Sequence, residues 1–240
     1  MRKIVILFLL FFLCQCSSIP SRIKKEQLKE IKRIGCISLL GDELEVIGRG
    51  LTIFDLSGND LRFPDWKLNT LAIDEMKTLL SNGGEFIYIM VDYDSQQLNK
   101  IYTKTLNYPL SYDISLIQDD LRKLGNKYAL DALVVLVKAP FVYFNMLMRG
   151  LGVYSRSAFG IRETDIYLLT RMVVFGGETM DPIANQNVFD IESLNNDLWS
   201  KNLKELTAQQ QEILEEKIKE LLRKQIPYQL RKVGLIQKSP

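Results

Sequence analysis

Histidine does not occur anywhere in the 240 residues. Its absence excludes Ser-His-Asp and Cys-His nucleophilic catalysis, His-ligated zinc and the two-histidine helical motif of metalloproteases. Cysteine is scarce, at three residues, too few for a disulfide scaffold. Neither sign of charge is in excess: 31 Lys and Arg stand against 29 Asp and Glu. The chain therefore lacks the basic footprint of a nucleic-acid binder, and no nucleic-acid partner is expected. Glycines cluster at Gly150-Leu151-Gly152 and Gly176-Gly177, but neither forms a phosphate-cradling loop between a strand and a helix, so both read as turns. No metal and no cofactor are implied. What is present, 47% apolar and 25% charged residues, is the composition of one ordinary globular domain.

The one long apolar run lies at the start. Arg2 and Lys3 precede eleven apolar residues, 4–14, followed by Gln15, Cys16, Ser17 and Ser18. As a helix the run would rise about 16 Å, roughly half a hydrocarbon core, which suits a secretory signal and not a membrane span. Leu13-Cys14-Gln15-Cys16 resembles a bacterial lipobox, with Gln15 where that pattern favours a small residue. The resemblance implies a signal peptide over 1–15, acylation of Cys16 and attachment to a membrane through the N-terminal lipid. Two or more acyl chains suffice for stable anchoring. By the sorting pattern of such lipoproteins, Ser17 implies an outer-membrane anchor facing the periplasm. Cleavage would leave 29 basic against 29 acidic residues. Cys36 would then lack an intramolecular partner and reads as a packed thiol in an apolar strand.

Residues 16–33 read as a tether in which Arg22, Lys24, Lys25, Lys29, Lys32 and Arg33 face only Glu26 and Glu30. The net +4 suits either anionic lipid head groups or plain solvation. Residues 34–240 read as a single α/β (α+β) domain of two or three layers, with a mixed sheet of about 4–6 strands, about three helices and a long C-terminal helix. Strands are predicted over 34–40, 45–54, 86–91 and 132–137. The unbroken apolar runs 86–91 and 132–137 read as strands covered on both faces and hence central. Residues 57–67 read as a loop, as does the stretch through Tyr108 and Pro109. Apolar residues at helical spacing predict helices over 68–80 and 117–128, the second opened by a capping-box spacing from Ser115 to Gln118. Beyond Pro140 two strands are expected to form a hairpin, the second within 165–175, which turns at Gly176-Gly177. Thr207 and Gln210 have capping-box spacing and open a terminal helix predicted to run until Pro227.

Three segments carry a resemblance: Ile34-Gly35-Cys36-Ile37-Ser38-Leu39-Leu40-Gly41-Asp42, then Tyr128-Ala129-Leu130-Asp131-Ala132-Leu133-Val134-Val135, then Arg171-Met172-Val173-Val174-Phe175-Gly176-Gly177-Glu178-Thr179. Their order resembles that in a group of bacterial envelope lipoproteins around the curli-secretion lipoprotein and the penicillin-binding-protein activator lipoproteins. The resemblance implies a non-catalytic periplasmic domain that binds other envelope proteins.

The residues themselves offer two kinds of site. Phe141, Tyr143, Phe144, Tyr154 and Phe159 lie near Arg149, Arg156 and Arg162, the composition of an interaction surface. Tyr143, Tyr154 and Arg156 are expected as exposed partner contacts, while Phe141 and Phe144 are expected to pack on the sheet. The alternative is a carboxylate-dependent hydrolase of cell-wall or polysaccharide material. There Asp92 or Asp94, beyond a strand end, would be the acid or base, with Asp55 or Asp113 as a second carboxylate. Turn and helix-cap chemistry is the plainer account of those aspartates. A homo-oligomer built through strand edges is a third arrangement. Trp66 and Trp199 read as caps on the core.

Overall fold

A computed structural model describes residues 19–49, 56–83, 85–104, 106–107, 111–143, 146–158, 161–194 and 206–237. The expected signal peptide, Cys16, Asp55, Phe144, Phe159 and Trp199 lie outside the described residues. In chain order the elements are α1 (Lys25–Glu30), β1 (Arg33–Leu39), β2 (Glu43–Arg49), β3 (Leu56–Arg62), a 3-10 turn (Pro64–Trp66), α2 (Leu68–Asn82), β4 (Ile87–Ile89) and α3 (Ser95–Tyr102). There follow β5 (Leu106–Asn107), β6 (Ser111–Tyr112), a second 3-10 turn (Ile114–Ile117), α4 (Gln118–Tyr128), β7 (Ala132–Lys138), β8 (Pro140–Tyr143), β9 (Met146–Arg149), β10 (Leu151–Ala158), β11 (Ile161–Gly176), β12 (Asp181–Ser193) and α5 (Ala208–Val233).

The sheet is organised along β11. One edge of this 16-residue strand is paired antiparallel with β12 from Asp165 to Gly176. The other edge takes two strands in succession, β10 against residues 161–168 and β7 against residues 170–176. Both run antiparallel to β11, so β7 and β10 form one line interrupted by the β8–β9 hairpin. The next row repeats the arrangement: β1 pairs parallel with β7, and β2 pairs parallel with β10. β4 and β3 flank β1 and β2 respectively. The eight-stranded mixed sheet therefore has two halves set end to end along β11.

Burial follows strand alternation. On one face Cys36, Val134, Leu136, Met172 and Val174 meet α2 and α5 through Met76, Leu80, Leu214, Ile218, Leu222 and Ile226. On the other, Ile37, Leu39, Val135, Val137, Val173 and Phe175 meet α3, α4 and the second 3-10 turn through Leu98, Tyr102, Ile117 and Leu121. That half has three layers. In the far half the hairpin takes the place of helices, and Met146 and Met148 cover Ile47, Tyr154, Tyr167 and Leu169.

Several expectations are corrected by tertiary pairing. Residues 57–67 are not a loop throughout: polar β3 gains its strand state from β2, because strand preference depends on neighbours more than on intrinsic propensity. β4 is short and pairs with β1 alone, leaving Ile87 61% and Met90 69% exposed, so the apolar run 86–91 marks an edge and not a centre. Helix α3 lies where a loop was expected, and the described residues hold five α-helices. The second capping role falls to Asp113, which accepts from the Ser115 N–H at 2.9 Å within the 3-10 turn. Helix α5 begins with the predicted Thr207 and Gln210 box, but it runs through Pro227 to Val233 because Leu230 and Val233 still have core to bury. The expected tether is docked from Ile19 onward: the Asn185 N–H donates to the Pro20 carbonyl at 2.8 Å, and Ile23 and Ile31 are buried. Trp66 is buried and stacked on Phe63, as a core cap.

In the far half Gly152 on β10 packs closely between β2 and β11. A Cβ there would collide with the Tyr167 hydroxyl and with the Glu45 backbone carbonyl. Gly152→Ala is expected to cost about 1–3 kcal/mol, the usual range for overpacking, and thermal unfolding followed by circular dichroism measures it. An unchanged midpoint would contradict the packing of β10 between its two neighbours.

Candidate interaction surface

The hairpin leaves the sheet at Leu169. Ala139 donates to the Leu169 carbonyl at 3.0 Å, Leu169 to the Gly150 carbonyl at 2.6 Å, and Gly150 to the Ala139 carbonyl at 3.0 Å. The backbone thus closes across the base of the excursion and leaves no gap in the ladder. Gly150 holds φ +62°, and the Lys138 side chain lies against its Cα where any Cβ would clash.

Polar side chains pin the same base. Glu45, 7% exposed, accepts from the Arg149 N–H at 2.7 Å, from Arg149 Nε at 2.8 Å and from the Tyr167 hydroxyl at 2.7 Å. Arg149 NH2 lies 2.7 Å from the same carboxylate. Burial opposes the Arg149 charge, but the hydrogen bond and charge of Glu45 outweigh it and hold the guanidinium pKa above its ordinary value. Burial, then the Glu45 charge, pushes the Tyr167 phenol well up. Lys138, 8% exposed, donates from Nζ to the Glu43 carbonyl at 3.3 Å, and burial lowers its pKa against the pull of the acids around it. Glu43, Glu45, Lys138 and Arg149, with Asp60, Asn99, Thr103 and Tyr112, line a small cleft of about 160 Å³.

That cleft lies at the carboxyl ends of β1 and β7, where open α/β sheets commonly bind ligands. Here both strands run on, β1 into β2 and β7 into the hairpin, and the continuing chain occupies the crevice. Of the cleft's charges, Glu45 is paired with Arg149, and Glu43 with Arg62 outside the lining.

Above this base stands an aromatic row. Phe141 and Phe189 stack with ring centroids 4.5 Å apart, and Tyr143 lies 5.8 Å from Phe189. Tyr143 meets Tyr154 edge-on at 6.1 Å. Phe141 and Phe189 are 40% and 38% exposed, so two stacked rings from β8 and β12 remain in water on one small area, while Val142, 42% exposed, points to the opposite side of β8.

The sequence-predicted contacts fare unevenly against this geometry. Tyr143 belongs to the row and is half-buried. Tyr154 is only 1% exposed and is no surface contact, because the hairpin folds back over its face of β10. Arg156 is exposed but ion-paired with Glu163, its cross-strand neighbour, an interaction worth at most about 1 kcal/mol. Phe141, expected to pack inward, is an exposed member of the row. Phe189 went unnoticed because residues 181–193 are mostly polar, and only pairing with β11 brings its ring to Phe141. Asp94 caps α3, accepting from the Gln97 N–H at 2.9 Å. Asp92 is exposed, with its backbone hydrogen-bonded to the Tyr128 hydroxyl. Both follow the edge strand β4 and not a central strand, and turn-and-cap chemistry accounts for Asp94. Among the described residues no group of three or more Cys, Asp or Glu could hold a metal ion.

No family model matches the chain, and no curated protein matches it in sequence. Several solved structures resemble it, three of them as follows. A hypothetical protein of Chlamydia trachomatis aligns at TM-score 0.33 and 12% identity, over 82% of this chain and 98% of that one. A protein of Xanthomonas campestris from the DUF330 family aligns at TM-score 0.38 and 6% identity, over 90% and 93%. A lipoprotein of Neisseria meningitidis aligns at TM-score 0.33 and 10% identity, over 82% and 99%. Likenesses at this level carry no inference about function, and the argument below rests on the chain's own residues.

Lys138 supplies a test of the hairpin base. In the fold its ammonium loses a proton at lower pH than in the unfolded chain, so between those two values the unfolded state holds more protons and stability rises with pH. Lys138→Met is therefore expected to raise the melting temperature at pH 7, with the advantage shrinking as pH climbs toward 10. A difference that is flat with pH would show that the ammonium is not desolvated.

Proposed function

We propose that the chain is a lipid-anchored envelope protein whose domain is a non-catalytic interaction module. Cys16 carries the anchor, Ser17 directs it to the outer membrane, and the domain faces the periplasm. The observation that supports the module is the stacked pair of Phe141, on a hairpin pinned at its base, and Phe189, on β12, both left more than a third exposed. Rigid aromatic rings lose little conformational freedom on binding and shed a large apolar area, which is why such residues dominate interface energetics. The partner is another envelope protein with an apolar pocket for the two rings, Tyr143 contributing at the side and Arg156 at the rim. Among the described residues no helix is long and apolar enough to cross a membrane; in this reading the lipid does the anchoring.

Two measurements test it. Mass spectrometry of the membrane-extracted protein is expected to find an acylated Cys16 at the N-terminus, and Cys16→Ser is expected to accumulate as an unprocessed precursor. A photocrosslinker placed at Phe189 is expected to give one discrete envelope adduct in cells, which Phe141→Asp diminishes about tenfold or more as a lost aromatic hot spot. Undiminished adducts in that variant would refute the aromatic surface. An adduct to a second copy of the chain would instead make it a homo-oligomer.

A further inference from the structure

From Ile19 onward the leader is part of the folded domain. Asn185 on the outer edge of β12 donates from its N–H to the Pro20 carbonyl at 2.8 Å and from Nδ2 to the Ile19 carbonyl at 3.0 Å. The Ile23 N–H donates to the Val233 carbonyl at 3.0 Å, at the C-terminal end of α5. Arg22 lies over Gly234, where a Cβ would come 3.1 Å from its Nε. From there the leader passes through α1 to the start of β1, where Arg33 donates to the carbonyls of Ala129 and Tyr128 at the end of α4. It therefore wraps one end of the sheet, the end where β1 and β7 begin and β11 finishes.

Cys16 is three residues before Ile19, and three residues span at most about 11 Å even when extended. A lipid on Cys16 therefore keeps the Ile19 edge of the domain within about 11 Å of the bilayer surface.

The charge sits at the same end. Arg22, Lys24, Lys25, Lys29, Lys32 and Lys232 are all exposed, and none is in an ion pair among the described residues. Glu26 and Glu30 on α1, Glu85 before β4, and Glu178 and Asp181 at the β11–β12 turn oppose them. The Asp131 carboxylate at this end is taken up by the backbone N–H groups of Lys32 and Arg33, at 2.9 and 2.8 Å. Residues 19–33 carry net +4, whereas residues 34–240 carry 23 basic against 27 acidic side chains. The leader is thus net positive, and the rest of the chain net negative.

Resting on the anchor at Cys16, we propose that this end is a built membrane-contact face that holds the domain upright on anionic lipid and does not let it swing on a tether. Strand geometry then sets heights along β11. Leu169, at the hairpin base, is seven residues from Gly176, or about 23 Å, and Ile161 at the far end is about 50 Å away. The aromatic row is held off the lipid at a set height, facing into the periplasmic space.

The test uses the acylated full-length protein in phosphatidylglycerol-containing vesicles. A fluorophore is placed on Lys24→Cys at the proposed contact face, or on Gly58→Cys on distal β3, where nothing lies within 4 Å of an added side chain. Cys36 is buried and its thiol pKa is driven up by that burial, so it does not compete for the label. With a quencher carried on lipid head groups, strong quenching is expected at position 24 and none at position 58. The charge reversals Arg22→Glu, Lys25→Glu and Lys29→Glu together, or 0.5 M salt, are expected to cut quenching at position 24 about twofold or more. Equal quenching at both positions in protein that still co-sediments with the vesicles would overturn the upright face while leaving the anchor intact. Quenching indifferent to the reversals and to salt would overturn the role of charge. Failure to co-sediment would overturn both the anchor and the face.

Discussion

β11 lays sixteen residues of extended chain through the sheet, and the backbone groups along both its edges must be paired or solvated. No single neighbour does this alone. β12 covers one edge, and the other is divided between β7 and β10, which together make a single line. The place where that line is spliced, opposite Leu169, is also the one place where extra chain can leave without opening the ladder. The hairpin, the cleft beneath it and the joint between the two sheet halves all follow from this splice.

The splice carries an energetic burden as well. Glu45 and Lys138 bring charges into a region that neighbouring chain has taken out of water, and such groups persist only where partners offset their desolvation. Glu45 is well matched, with Arg149 on three nitrogens and Tyr167 on the far side. Lys138 has one long hydrogen bond and a depressed pKa. The asymmetry makes Glu45 the clamp of the hairpin base and Lys138 its weaker half. A hairpin held in this way can keep apolar rings exposed without collapsing onto the sheet, which an interaction surface requires.

Parts of the fold were legible because they depend on local pattern. The unbroken apolar run 132–137 announced β7, buried throughout, and the spacing of Leu68, Ala72, Met76 and Leu80 announced α2 with those same residues inward. The run 86–91 had the same apolar character and became an exposed edge, because hydropathy cannot say how many neighbours a strand will find. The candidate surface was half legible for a similar reason. Alternation shows that Tyr154 and its neighbours point to opposite faces of β10, but not which face the hairpin will roof over. Phe189 lies in a polar strand far along the chain, and nothing near it in sequence announces Phe141.

By itself the sequence determined the class of the domain, its apolar strands and amphipathic helices, the absence of any histidine chemistry and an amino terminus with the pattern of a signal and a lipid attachment site. These depend on composition and on periods of two or 3.6 residues, which a linear string contains in full. Only the tertiary structure decided that the supposed tether is docked, that Tyr154 is buried while Phe141 is exposed, and that the basic residues of the leader gather at one end of the sheet. Each of those depends on which segments meet across long stretches of chain, and the energy that selects the meeting, burial together with the pairing of backbone groups, is shared among many contacts and written at no single position.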